Sequence, residues 1–192
     1  MAKLNDSRAE VFGNIENVLI STERVTTEHS CTPRDLVAIG DQFLLRVYVQ
    51  DLRDHDPSGV YAAFLDIPFS GGVVEPVGGI SYGLGFPNGH AGTLDSAGLD
   101  EAGAFGPNSP LGSAEFELLS VELRAVVAGE TLFTANPADV SPVADNLFFD
   151  PPGRVDPLLV DYGTVSLTIS SSVTAQEDTY NVDEDTTEVA LA

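Results

Sequence analysis

Apolar and polar residues alternate at every second position in four stretches of the chain, and that two-residue period marks a strand with one buried face. Over residues 43–50, Phe43, Leu45, Val47 and Val49 share one side, and Leu44, Arg46, Tyr48 and Gln50 the other. Over 61–69 the dry set is Tyr61, Ala63, Leu65, Ile67 and Phe69, against Ala62, Phe64, Asp66 and Pro68. Residues 117–127 place Leu119, Val121, Leu123, Ala125 and Val127 opposite Ser120, Glu122 and Arg124, and residues 163–170 place Val165, Leu167 and Ile169 opposite Thr164, Ser166 and Thr168. Weaker strand signals lie at 17–25, 73–77, 80–86 and 131–136, separated by turns such as Ser70-Gly71-Gly72 and Gly78-Gly79. No stretch sustains helical spacing for more than about two turns. The expectation is an all-β chain whose eight or nine short strands form two packed sheets, a β-sandwich. Residues 87–110, rich in Gly, Ala, Asn and Ser, show little periodicity. A connection that long is expected to serve function or to carry a short irregular strand.

Composition narrows the partners. The 192 residues suit one domain that buries roughly 70% of its unfolded surface, and a hydrophobic content of 43% is enough for a true core. Thirty acidic residues against eight basic ones give a net charge of −22, which repels phosphate backbones and anionic lipid. Nucleic acid and direct membrane insertion are therefore poor expectations. There is neither an 18-residue apolar run nor a basic, apolar, small-residue leader at the start, and the chain reads as a module of a longer extracellular or cell-surface protein. Cys31 is the single cysteine, so neither an internal disulfide nor a cysteine-based zinc site is expected. Residues 175–192 hold six acids and no base, and their string Asp178-Thr179-Tyr180-Asn181-Val182-Asp183-Glu184-Asp185-Thr186 resembles the opening of cadherin-like or bacterial immunoglobulin-like repeats. An acidic linker is the alternative. The expected organisation is a lead-in with the first strand over 1–35, the sandwich over 36–170, and a linker or the start of a further module over 171–192.

Catalytic chemistry finds little support. His29, His55 and His90 lie far apart in loops without the spacing of a helical metal pair, no Gly-x-Ser-x-Gly elbow is present, and Cys31 has only Arg34 nearby as a base. The chain is expected not to be an enzyme. Two acidic groups are calcium candidates, Asp51, Asp54 and Asp56 after an apolar strand, and Asp95, Asp100 and Glu101 in the Gly-rich stretch, because calcium takes hard oxygen ligands close in sequence. Neither matches an Asp-x-Asp-x-Asp-Gly loop. A solvated surface is the competing reading, with Arg53 neutralising the first group. Phe64 has the more distinctive placement: its parity puts it outside the dry face, beside Ala62 and Asp66, where an aromatic on an open sheet would anchor a protein partner. A long loop folded over the ring, such as 87–110, is the alternative.

The run Ile39-Gly40-Asp41-Gln42-Phe43-Leu44-Leu45-Arg46-Val47-Tyr48-Val49, followed by Gly59-Val60-Tyr61-Ala62-Ala63-Phe64-Leu65-Asp66-Ile67-Pro68-Phe69, resembles the start of a cohesin module. Leu119-Ser120-Val121-Glu122-Leu123-Arg124-Ala125 with Gly129-Glu130-Thr131, and Tyr162-Gly163-Thr164-Val165-Ser166-Leu167, resemble the late strands of that family. The resemblance spans about residues 36–170. It implies a nine-stranded jelly-roll sandwich that grips a dockerin-like partner through one sheet face, here by way of Ala62, Phe64 and Asp66. The chain departs from the family pattern where Ala62 and Phe64 replace an Asn and an Asp. It also departs at Pro68, which suggests a bulge or an early strand end, and in the length of its 87–110 and 137–157 stretches. A carbohydrate-binding or spacer sandwich is the competing function. The absence of Trp and the count of only five Tyr weigh against glycan stacking.

Overall fold

The computed structural model describes residues 16–24, 36–53, 58–70, 72–149 and 152–171. His29, Cys31, Asp54, His55, Asp56 and the acidic stretch 175–192 lie outside the described residues.

In chain order the strands are β1 (Glu16–Arg24), β2 (Leu36–Ala38), β3 (Gln42–Asp51), β4 (Val60–Pro68), β5 (Val74–Tyr82), β6 (Asn88–Asp95) and β7 (Gly98–Phe105). They continue as β8 (Phe116–Ala125), β9 (Gly129–Thr134), β10 (Asn136–Pro137), β11 (Leu147–Phe148), β12 (Gly153–Arg154), β13 (Val160–Tyr162) and β14 (Thr164–Ser170), with one 3-10 turn at Pro157–Leu159. One sheet runs β13-β1-β3-β8-β5, a second runs β12-β11-β4-β7-β6 with β10 also paired to β4, and a small third runs β2-β14-β9. The described strands are more numerous than the expected nine because several are fragments of one path. β9 leaves the small sheet and one residue later pairs with β4 as β10, and β13 leaves β1 and continues past Gly163 as β14.

The main core lies between the first sheet and the other two. Phe43, Leu45, Val47 and Val49 of β3 and Leu119, Val121 and Leu123 of β8 face Ala63, Leu65 and Ile67 of β4, with Phe133, Leu167 and Ile169 from the small sheet. The alternation read from the sequence is thus the real inside-outside pattern of the four clearest strands. β4 does end at Pro68, as a residue without an N–H favours.

Three expectations need correction. The alternation puts Tyr61 on the dry side, but the pairing slips between Ala62 and Val60 opposite Leu147 and Phe148. The slip leaves Tyr61 out of the β4–β11 pairing and its ring lies on the opposite side, against Phe105 and Phe149. Val127 is exposed because β8 ends at Ala125, after which the chain bends to bond Val73. The 87–110 stretch is an ordered hairpin of β6 and β7. Its strands give no amphipathic signal because tight packing calls for small residues: a Cβ on Gly103 would collide with the Ala63 carbonyl and come within 2.6 Å of the Phe64 ring. Gly92, at φ +111, likewise lies against Ala102 with no room for a side chain.

Candidate functional site

The outer side of β4 and β7 holds a second, smaller cluster. Ala62 and Phe64 are 0% and 1% exposed, and together with Ala144, Ala138, Leu147, Tyr61 and Phe105 they form a core of their own. Phe64 fits over the bare backbone of Gly103 and meets Phe105 edge to face at 5.3 Å. Of the two readings of Phe64, the covered ring is the one the structure has: parity puts it on the outer side, where residues of the 138–146 segment rather than 87–110 roof it.

The roof is residues 138–146, the connection from β10 to β11, hereafter the strap. β10 and β11 pair with β4 at Asp66–Leu65 and at Ala62–Val60, leaving an interval in the ladder. Asn146 fills it, for its Oδ1 accepts the Phe64 N–H at 2.6 Å while its Nδ2 donates to the Tyr162 hydroxyl at 3.3 Å. A side-chain amide thus takes the place of a strand carbonyl, and a buried N–H escapes the cost of desolvation without a partner. The strap turns on itself through the Ala144 N–H to the Val140 carbonyl, and Asp145 pairs with Arg154 at 3.0 Å.

Its far end is fastened to β7 by Glu101. One carboxylate oxygen, Oε1, accepts the N–H groups of Asp139 and Val140 at 2.7 and 3.0 Å. The Glu101 N–H in turn donates to Asp66 Oδ1 at 2.7 Å. Asp66 is half-buried at the margin of the strap, and burial, then the charges of Asp100 and Asp139, push its carboxyl above the usual range. On the strap's outer side Val140 and Val143 stand 49% and 67% exposed.

Of the remaining acidic candidates, Asp51 and Asp95 bond to local backbone. Asp51 is buried at the end of β3. Its Oδ1 accepts from the Arg53 N–H and Nε, and its Oδ2 from Arg53 Nη2 and the Gly59 N–H. Burial raises its carboxyl, but those hydrogen bonds outweigh burial and hold it below the usual range. The Arg53 guanidinium lies 3.3 Å from the centre of the Phe148 ring, so this group staples the β3–β4 loop to β11. Asp95 accepts the Ala97 N–H in the β6–β7 turn, and Asp100 and Glu101 are on β7. Among the described residues no three His, Cys, Asp or Glu side chains are grouped as metal ligands.

Sequence reasoning missed the strap, Asn146 and the role of Glu101. The Pro-, Ala- and Asp-rich 137–146 stretch reads as a plain loop, and the signals that fasten it are a single amide and a single carboxylate with no periodicity around them.

With this geometry in view, the solved structures are informative. The cohesin module from the Clostridium perfringens ATCC13124 family 33 glycoside hydrolase superposes with a TM-score of 0.53 at 10% identity, over 81% of this chain and 97% of that one. The fold is that of a cohesin module. The non-cellulosomal cohesin from the hyperthermophilic archaeon Archaeoglobus fulgidus is also similar, with a TM-score of 0.48 at 15% identity, over 71% of this chain and 87% of that one. A family model described as "DUF3686: ATPase involved in DNA repair" matches residues 1–56. That is under a third of the chain. Its described part is strands β1 to β3 of the cohesin-fold sandwich, and with Lys3 as the single lysine the chain carries no Gly-x-x-x-x-Gly-Lys phosphate loop. The chain matches none of the curated proteins.

Proposed function

We propose that this chain is a non-catalytic protein-interaction module of a secreted or cell-surface protein, and that it meets its partner, a dockerin-like domain, on the strap side of the β4-β7 sheet. The observation that carries the reading is the pair Val140 and Val143, apolar and solvent-facing on a segment fastened to β4 and β7, with Asp139 and Asp145 beside them in the chain and Asp66 bonded to the Glu101 that holds the segment. An apolar centre with a polar rim is the usual anatomy of a recognition surface. Asp66 contributes at the margin. Ala62 and Phe64 act from beneath, by holding the strap at a fixed height. The cohesin fold supports this reading to the extent that a protein-interaction module of that fold would use a sheet face. Among the described residues no helix is long and apolar enough to cross a membrane.

Calorimetric titration with a dockerin-like domain encoded in the same genome tests the reading. Saturable binding is expected, with Val143→Asp weakening it at least about tenfold while leaving the melting temperature in place, as expected for a contact at the centre of an interface. Affinity indifferent to both Val143→Asp and Val140→Asp would contradict it, and so would binding to a glycan in place of a protein.

A further inference from the structure

We propose that Glu101 is a proton-operated catch for the strap, holding residues 138–146 against the sheet when its carboxyl carries a proton and loosening them when it ionises. The first observation is backbone geometry. Glu101 is the only non-glycine residue at positive φ among the described residues, at +53°. That conformation is costly for a residue with a Cβ, and here it turns the carboxyl towards the two strap N–H groups it holds. The second is an unmet valence. Glu101 Oε2 is buried with no hydrogen-bond partner, and the Asp139 side chain is near enough to act on the same carboxyl. Two ionised carboxylates have no hydrogen to share, whereas one proton between them supplies the missing donor.

The surroundings act in the same direction. β4 presents Asp66, β7 presents the adjacent Asp100, and the strap presents Asp139, with Asp145 further along and already paired to Arg154. β6, on the other side of β7, brings Gly92 and Thr93 opposite this stretch, and neither titrates. Burial, the Asp139 hydrogen bond and the charge of Asp66 raise the Glu101 carboxyl, and the two backbone N–H groups oppose them only in part. Because the folded value is raised, the protonated form favours the closed strap. That contribution is complete below the ordinary glutamate value and is lost as pH rises through the raised one. The strap is therefore held most firmly in acid.

The catch rests on the positive φ, the unpartnered Oε2 and the raised carboxyl of Glu101 taken together; its bearing on partner binding rests on the function proposed above. Amide hydrogen exchange of the full chain, without any partner, tests it through the protection factors of Asp139 and Val140, corrected for intrinsic exchange. Between about pH 4.5 and about pH 8 these are expected to fall severalfold as the carboxyl gives up its proton. Amides at the centre of β3 and β8 report the whole-molecule response to charge, and the fall at the strap is expected to exceed theirs. Glu101→Gln keeps the acceptor oxygen and adds a permanent donor, so its strap is expected to stay protected at both pH values. Glu101→Ala is expected to lose protection at both. If Glu101→Gln folds normally and shows the wild-type dependence on pH, the catch is wrong. Wild-type strap protection that simply tracks β3 and β8 overturns it equally. A pH response confined to the strap and abolished by Glu101→Gln supports the catch even if no dockerin-like domain binds.

Discussion

The two sides of β4 are both dry, yet they are dry for different reasons. On the inner side Ala63, Leu65 and Ile67 meet an entire opposing sheet, with side chains supplied by β3 and β8. On the outer side Ala62 and Phe64 meet one short strap, held by Asn146 at one end and Glu101 at the other. Opening the inner layer requires two sheets to separate, whereas opening the outer layer requires only a few hydrogen bonds to break. Such local opening is drawn from the low end of the stability range. The outer layer thus combines a sheet floor with a roof held by few hydrogen bonds.

The largest effect that sharpens this contrast is expected from the inner side. Leu65→Ala or Ile67→Ala should cost about 2–5 kcal/mol in urea or thermal unfolding, through lost burial and a cavity that two rigid sheets cannot close. Phe64→Ala should cost less than Leu65→Ala despite its larger ring, falling at or below the lower end of the about 3–5 kcal/mol usual for such a change, because the strap is free to settle into the space. A cost for Phe64→Ala above that for Leu65→Ala would show the strap to be as rigid as a sheet.

That prediction rests on a feature only half legible in the sequence. The parity of Phe64 is written in the alternation of 61–69, and so is the burial of Leu65, since a period of two is imposed by strand geometry alone. What covers an outward residue is a matter of tertiary contact, and nothing local to Phe64 announces a strap some eighty residues later. The β6–β7 hairpin was hidden for a related reason. Where a neighbouring ring or backbone leaves no room for a Cβ, as at Gly103 and Gly92, the strand loses the large apolar residues by which strands are recognised. The positive φ of Glu101 and the use of Asn146 as a surrogate strand carbonyl belong to the same class, single residues whose task is defined by distant partners.

A smaller effect separates fastening from packing. Asn146→Ala leaves the Phe64 N–H buried without its partner, and a loss of about 1–3 kcal/mol is expected. The loss should fall mainly on the strap, so exchange at Asp139 and Ala144 should speed up more than exchange within β3. Uniform acceleration across the molecule would place Asn146 in the global core. The smallest effect is expected at the surface itself, where Val143→Ser should change stability by no more than about 0.5 kcal/mol.

The central claim, that the outer face of β4 is roofed by the strap, is tested most directly by thiol labelling in a Cys31→Ser background. Phe64→Cys and Val143→Cys put one thiol beneath the strap and one on top of it. The account predicts prompt labelling at position 143 and labelling at position 64 slowed at least about tenfold, at a rate set by strap opening. Equal, prompt labelling at both positions would show an open sheet face and contradict the account.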